Sequence, residues 1–322
     1  MILNPILAKE FRSRMRTWRA PATLGVYVLL LGLVGFAYFR IFSSNLMYGG
    51  YMNPQVGLQI FYVLGVFQLI LVAFVTPSLT AGLISGERER QTLDLLLCTR
   101  LSAASIVLGK LLSAVSYVLL LIIAAVPVYS LVFLFGGVSP RELLMTLLIY
   151  VVTALTYAAV GLFSSALFRR TQMATLVTYA IIFSLVFGTL MAAGLQMAVS
   201  VAKPRPGPYG GPQLPALVGL NPLIAMLSVM PQSGSFYIPF FPISILGGGY
   251  GAPQSAAPVW VVYVTASGIL AVLMVLASIH LVKPVRPPMS LKRVFFWRQG
   301  PRRRGRPRTA AGGGEPAGGP SA

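Results

Sequence analysis

Six stretches of this sequence are each apolar over 20 residues or more, and that pattern limits the fold more than any other feature. They run from about 21 to 42, 57 to 84, 105 to 135, 143 to 168, 173 to 201 and 259 to 282. A helix needs about 20 apolar residues to cross the hydrocarbon of a bilayer. There, backbone N–H and C=O groups must be satisfied within the segment itself. Composition agrees, with 56% hydrophobic and 10% charged residues, where a soluble domain carries roughly a quarter charged. A water-soluble enzyme of this composition could not cover its surface. A disordered or fibrous chain needs low hydrophobicity or a strict repeat, and neither is present. The expected fold is an all-α integral membrane protein with six transmembrane helices. Pro127 is expected to kink the third stretch by removing a backbone donor, and Pro77 and Gly82 to disturb the end of the second.

The charges set an orientation. Of 25 basic residues, 21 fall on one side if the N-terminus is placed inside, and only Arg40, Arg141, Lys203 and Arg205 fall on the other. Lys and Arg gather on the cytoplasmic side of membrane proteins, so both termini are expected in the cytoplasm, at the inner cell membrane. The first stretch is too long for the apolar core of a signal peptide. Arg40-Ile41-Phe42 after it is not a small-residue cleavage site, so it is expected to be retained. Cys98 and His280 are the only cysteine and histidine. No intrachain disulfide, metal cluster or cysteine–histidine pair is expected from them.

Several segments are not spans. In residues 1–20, Leu7, Phe11, Met15 and Trp18 fall on one helical face, with Lys9, Arg12, Arg16 and Arg19 opposite. An amphipathic helix lying in the inner interface, basic side toward anionic lipid, is expected there. Residues 85–98 hold Glu87, Glu89 and Asp94, half of the chain's six acids. Glu87 and Glu89 suit the positive start of a helix, Glu87 can pair with Arg90 three residues on, and Leu93, Leu96 and Leu97 form a short apolar stripe. A cytoplasmic amphipathic helix over 85–98 is expected, the alternative being a solvated charged loop that closes a helical hairpin. The outer segment 203–258 is rich in Pro and Gly. Within it Asn221-Pro222 reads as the cap and first turn of a short helix, and Phe236 to Leu246 is too short to span, which suggests re-entrant or interfacial pieces, the alternative being a disordered extracellular loop. The basic tail 284–322 interleaves aromatics at Phe295, Phe296 and Trp297. Following a span on the inner side, it is expected to meet anionic lipid and not nucleic acid, and its last residues are expected to be disordered.

Some features are missing. The spans hold almost no charge, so a proton relay through intramembrane carboxylates is not expected. No phosphate-binding loop G-x-x-x-x-G-K-[ST] is present, because Gly109-Lys110 is followed by Leu111 and Ala104 replaces the first glycine. Any ATP used must be hydrolysed by another chain.

Asn4-Pro5-Ile6-Leu7-Ala8-Lys9-Glu10-Phe11-Arg12 resembles the start of type-2 ABC-transporter permeases. Glu87-Arg88-Glu89-Arg90-Gln91-Thr92-Leu93-Asp94-Leu95-Leu96-Leu97 resembles that family's E-R-E-x-G-T-L-x-x-L-L segment after the second span. Leu101-Ser102 and Ile106 to Lys110 fit its entry into the third span, and Asn221-Pro222 a less specific element before the last. Gln91 stands where glycine is common, and Arg100 where proline is common. The resemblance implies a six-span exporter subunit, not itself an enzyme. It implies a coupling helix at 85–98 with the N-terminal interfacial helix beside it. The partners it implies are two copies of a separate ATPase, which binds the ATP and magnesium, and a second permease copy, identical or related. Glu87, Arg88, Glu89 and Arg90 are then expected as polar contacts to the ATPase, with Leu93 and Leu96 as apolar anchors. The rival readings are a membrane anchor that recruits a soluble partner through its tail and an ion-coupled transporter.

Overall fold

A computed structural model describes residues 18–46, 54–93, 102–134, 136–202, 219–229 and 258–282. The helices are α1 (Arg19–Leu46), α2 (Pro54–Thr80), α3 (Ser85–Glu89), α4 (Ala103–Ala124), α5 (Val126–Ser130), α6 (Pro140–Leu167), α7 (Thr171–Ala202), α8 (Pro222–Val229) and α9 (Val259–Val282), with a 3₁₀ turn at Leu131–Leu134. Among the described residues six helical stretches are long and apolar enough to cross a membrane. They are built on α1, α2 with α3, α4 with α5, α6, α7 and α9, close to the apolar stretches of the sequence. This is an all-α membrane protein.

The boundaries have local causes. The Ser102 hydroxyl accepts the Ser105 N–H at 3.2 Å and caps α4. Ser139 and Glu142 form a capping box at the start of α6, with Pro140 in the first turn, where a missing donor costs nothing. The third stretch breaks at Ala125, two residues before Pro127, which lies in the first turn of α5. Pro77 is carried inside α2 without ending it. The helix stops at Thr80, followed by a turn over 81–84, so the second stretch is not helical to its expected end.

The most buried span, α6, is the centre of the bundle, packed by α9, α2, α7, α4 and α8. Its buried face is small over Ala154, Ala158, Ala159, Gly161, Ser164, Ser165 and Ala166, which lets neighbouring backbones come close. α2 runs parallel to it: Gly65 faces Tyr150, and Thr80 faces Gly161. A Cβ on Gly161 would sit 2.1 Å from Thr80 Oγ1 and 3.4 Å from the Ala81 nitrogen, so only glycine fits. The outer faces of α1, α7 and α9 expose Leu33, Phe36, Leu176, Phe183, Ile269 and Leu273, the surface expected where the solvent is lipid.

The eight-residue α8 wedges between α2, α6 and α9 and buries Ile224, Ala225, Met226 and Leu227. Asn221 seats it. Its Oδ1 accepts the Leu223 N–H at 2.9 Å, while its Nδ2 donates to Val186 O and Thr189 Oγ1 of α7 at 2.9 and 2.7 Å. The helix start predicted at Asn221-Pro222 is present. Residues 203–218 and 230–257, including Phe236 to Leu246, lie outside the described residues, as does the tail.

Candidate functional site

The chemistry of the chain concentrates at one end of the bundle, where α3 meets the connection between α6 and α7. Three helix ends there complete one another. A helix end leaves backbone groups without partners. Ser165 Oγ, fully buried on α6, accepts the Ile84 N–H at 2.8 Å and the Ser85 N–H at 2.9 Å, capping α3. The Ser85 hydroxyl lies 3.2 Å from it and donates to Ala81 O at 3.1 Å. In return, Arg88 Nη1 donates to Ala166 O at 2.8 Å, at the carbonyl end of α6. The Glu89 carboxylate then accepts both the N–H and the hydroxyl of Thr171, each at 2.7 Å, at the first residue of α7. Glu89 thus caps α7 from another helix, where a negative charge also suits the helix dipole. Arg169 and Arg170 fill the short connection and are exposed.

Glu87 points the other way, to α4. Its carboxylate pairs with Lys110 Nζ at 3.1 Å, and the Thr92 hydroxyl also donates to it. Lys110 is almost wholly buried, and a buried ammonium is tolerated when paired and hydrogen-bonded. Two turns beyond Lys110 on the same face of α4, Tyr117 donates to Ala20 O at 3.2 Å and shares a hydrogen bond with Thr23, which anchors the start of α1. α3 is therefore tied to α4 by Glu87, to α6 by Ser165 and Arg88, and to α7 by Glu89.

α2 alone, with 27 residues, is about 40 Å long at 1.5 Å per residue and can cross about 30 Å of hydrocarbon by itself, which leaves α3 room outside it. Thr171's hydroxyl and N–H hold the Glu89 carboxyl below its usual range. For Glu87, partial burial pushes upward, but the bonds from Thr92 and Lys110, aided by the Lys110 and Arg90 charges, outweigh it and leave the carboxyl lowered. Both stay ionised near neutrality.

The helix expected over 85–98 is not continuous. It ends at Glu89. Gln91 takes the left-handed conformation at φ 58°. The Thr92 N–H bonds Glu87 O at 2.9 Å and the Gln91 N–H bonds Arg88 O at 3.1 Å. This is a Schellman ending, whose left-handed position favours glycine because a Cβ is strained there. The glycine of the family pattern has a physical reason, and Gln91 fills its place with a side chain. The chain turns at Gln91, so Leu93 does not continue the α3 stripe. It is buried near Leu83, Ile84, Val107 and Leu111. Leu96 and the other residues after Leu93 up to Leu101 lie outside the described residues. So do Lys9, Phe11, Arg12, Met15 and Arg16. Trp18, the last of that predicted face, is 84% exposed.

Of the residues expected to face a partner, Glu87, Arg88 and Glu89 each bond another part of this chain, Glu87 and Arg88 half-buried and Glu89 on the exposed surface, and Arg90 is exposed. Ser165, Thr171 and Lys110 were missed as their partners. The available signal was the Ser164-Ser165 pair at the end of a small-residue run just before Arg169-Arg170. Other buried polar groups, at Gln68, Thr76, Tyr157 and Ser164, have no hydrogen-bond partner among the described residues. No group of three His, Cys, Asp or Glu able to hold a metal occurs among them.

Residues 4–283 match a family model described as ABC-2 family transporter protein. No curated protein matches the chain.

Proposed function

The chain belongs to the ABC-2 transporter family and is a permease subunit of an ABC transporter, and from that premise we propose that it works in an exporter driven by a separate ATPase. Two ATPase copies bind ATP and magnesium on the cytoplasmic side of the inner cell membrane, where both termini of this chain also lie. Two permease copies form the path for the substrate. Movement of the ATPases reaches the spans through α3.

The observation that carries this reading is the mutual capping of α3, α6 and α7. A short surface helix that a partner merely touched would need no such ties. Here Ser165, Arg88 and Glu89 close the ends of three helices on one another, so displacing α3 must displace the end of α6 and the start of α7. The interior groups at Gln68, Thr76 and Tyr157, which have no hydrogen-bond partner among the described residues, support it too. Buried unpaired polar groups are costly, and a second packing of the bundle can pair them.

The test is co-purification and reconstitution. In lipid nanodiscs the chain is expected to retain an ATP-hydrolysing subunit at one copy per permease, with hydrolysis that responds to the permease. Glu89→Ala is expected to leave the complex assembled but to weaken that response. Purification of the chain without any ATP-binding subunit, together with flux driven by an ion gradient alone, would overturn the reading.

A further inference from the structure

Gln68 is fully buried near the middle of α2, and neither its carbonyl oxygen nor its amide nitrogen has a hydrogen-bond partner among the described residues. The same holds for the buried hydroxyls of Thr76, also on α2, and of Tyr157 on α6. Two contacts between these helices fix where the three lie. At one level the Tyr150 hydroxyl donates to Gly65 O at 3.0 Å. At the other, Gly161 lies against Thr80. Gln68 follows Gly65 by three residues, Thr76 precedes Thr80 by four, and Tyr157 precedes Gly161 by four. Residues three or four apart share a helix face, so all three lie in the α2–α6 seam, between its two contacts. Because the helices run parallel, Thr76 and Tyr157 come to the same level. A ring on a helix leans back toward the N-terminus, which carries the Tyr157 hydroxyl toward the level of Gln68. From Gln68 to Thr76 the seam runs about 12 Å at 1.5 Å per residue. Other polar side chains of α6 nearby are already bonded: Thr153 Oγ1 lies 2.7 Å from Tyr263 OH, and Thr156 Oγ1 donates to Val152 O at 2.8 Å.

We propose that the α2–α6 seam is a binding site for ordered water, with Gln68, Thr76 and Tyr157 as its ligands. The donor set decides the ligand. A glutamine amide brings two donors and an acceptor, and each hydroxyl brings a donor and an acceptor. A cation offers no acceptor to those protons. None of the described acids, Glu87, Glu89 and Glu142, lies on this seam to balance its charge. An apolar ligand would leave every group unpaired, at the cost that buried orphans carry. Water both donates and accepts, and a buried water typically bonds about three polar groups. Water is also a partner that a moving helix gives up readily. The site thus lets α2 and α6 part and re-form their seam without stranding a polar group. The inference concerns the packing of this chain alone and stands apart from its ATPase.

The test is hydroxyl-radical labelling of the purified chain in nanodiscs by a brief X-ray pulse, read by mass spectrometry of its peptides. Radicals made from bound water mark the side chains beside it. Tyr157 is expected to gain oxygen although it is buried. After mixing into heavy-oxygen water, the isotope should appear in Tyr157 later than in the exposed Trp18. Phe61, equally buried on α2 but packed edge-on against the Tyr129 ring, should stay unlabelled. The Q68L/T76V variant should lose the Tyr157 label. Gln68→Met, close in size, keeps the test decisive if the double variant fails to fold. It should reduce the Tyr157 label without raising Tm. A wild-type Tyr157 that takes no label, a label retained in the folded variants, or a Phe61 labelled as strongly as Tyr157 would overturn the proposal. So would a rise in Tm for Gln68→Met, because only a stranded amide gains by removal. Labelling of Tyr157 that requires sodium or potassium and vanishes in choline would assign the site to a cation and overturn it as well.

Discussion

Ser164 and Ser165 are adjacent, both buried on α6 and chemically identical, yet substituting each with alanine should have very different effects. Ser165 Oγ accepts two backbone N–H groups, from Ile84 and Ser85, in fully buried surroundings. Ser164 Oγ has no partner among the described residues. Ser165→Ala leaves both donors buried and unsatisfied. At about 1–3 kcal/mol for each stranded donor, with some relaxation, the α3 seat should weaken by about 3 kcal/mol. That corresponds to roughly a hundredfold rise in the opening of this junction. Ser164→Ala removes only an unpaired hydroxyl and should change stability by less than about 0.5 kcal/mol. The assay is hydrogen exchange of the purified chain in nanodiscs, followed on peptides covering 81–92. Exchange of the Ile84 and Ser85 amides should rise by about two orders of magnitude in Ser165→Ala and stay near wild type in Ser164→Ala. Equal protection in the two variants would refute the capping argument.

Gln91→Gly should stabilise the chain by about 0.5–1 kcal/mol by relieving the left-handed residue, seen as a rise in Tm. Gly161→Ala should cost about 1–3 kcal/mol, because the added carbon meets Thr80 and the Ala81 backbone in a seam with no slack. A lower Tm checks it, and the double variant with Thr80→Ala should recover part of the loss. Glu89→Ala should fray the start of α7, and Thr171→Asp in that background should restore the cap locally without restoring the tie to α3. Exchange at 171–176 should recover while the ATPase response does not. The Glu89 carboxyl lies below its usual range, so the Thr171 contact is fully present above that range and is lost only as pH falls through the lowered value. Exchange at 171–176 should therefore be flat from about pH 8 to about pH 5 once corrected for its intrinsic rate.

The architecture was legible because it rests on local pattern. Length and apolarity mark the six spans, Asn221-Pro222 marks α8, and Pro127 marks the break between α4 and α5. Each signal lies within a few residues of its effect. The working arrangement of the junction was not legible in that way. Charged residues between two spans read most simply as an outward polar face. Glu89 instead meets Thr171, and Ser165 meets Ile84 and Ser85, at separations of about 80 residues. No periodicity encodes such pairs. The end of α3 at Gln91 was hidden for a different reason, because glutamine gives no sign of a left-handed residue. The resemblance to a glycine-bearing pattern marked the position, and only the backbone showed why a glycine belongs there.

The central claim is that α3 and the start of α7 move as one body when the partner binds ATP. Spin labels at Gln91→Cys and Gln172→Cys, in a Cys98→Ser chain assembled with its ATPase, measure that distance directly. A second pair at Trp18→Cys and Gln172→Cys reports motion of α7 against α1. The distance between positions 91 and 172 should be unchanged between nucleotide-free and ATP-bound states, while the distance between 18 and 172 shifts. A change between 91 and 172 as large as that between 18 and 172 would show that α3 slides past α7, contradicting the account.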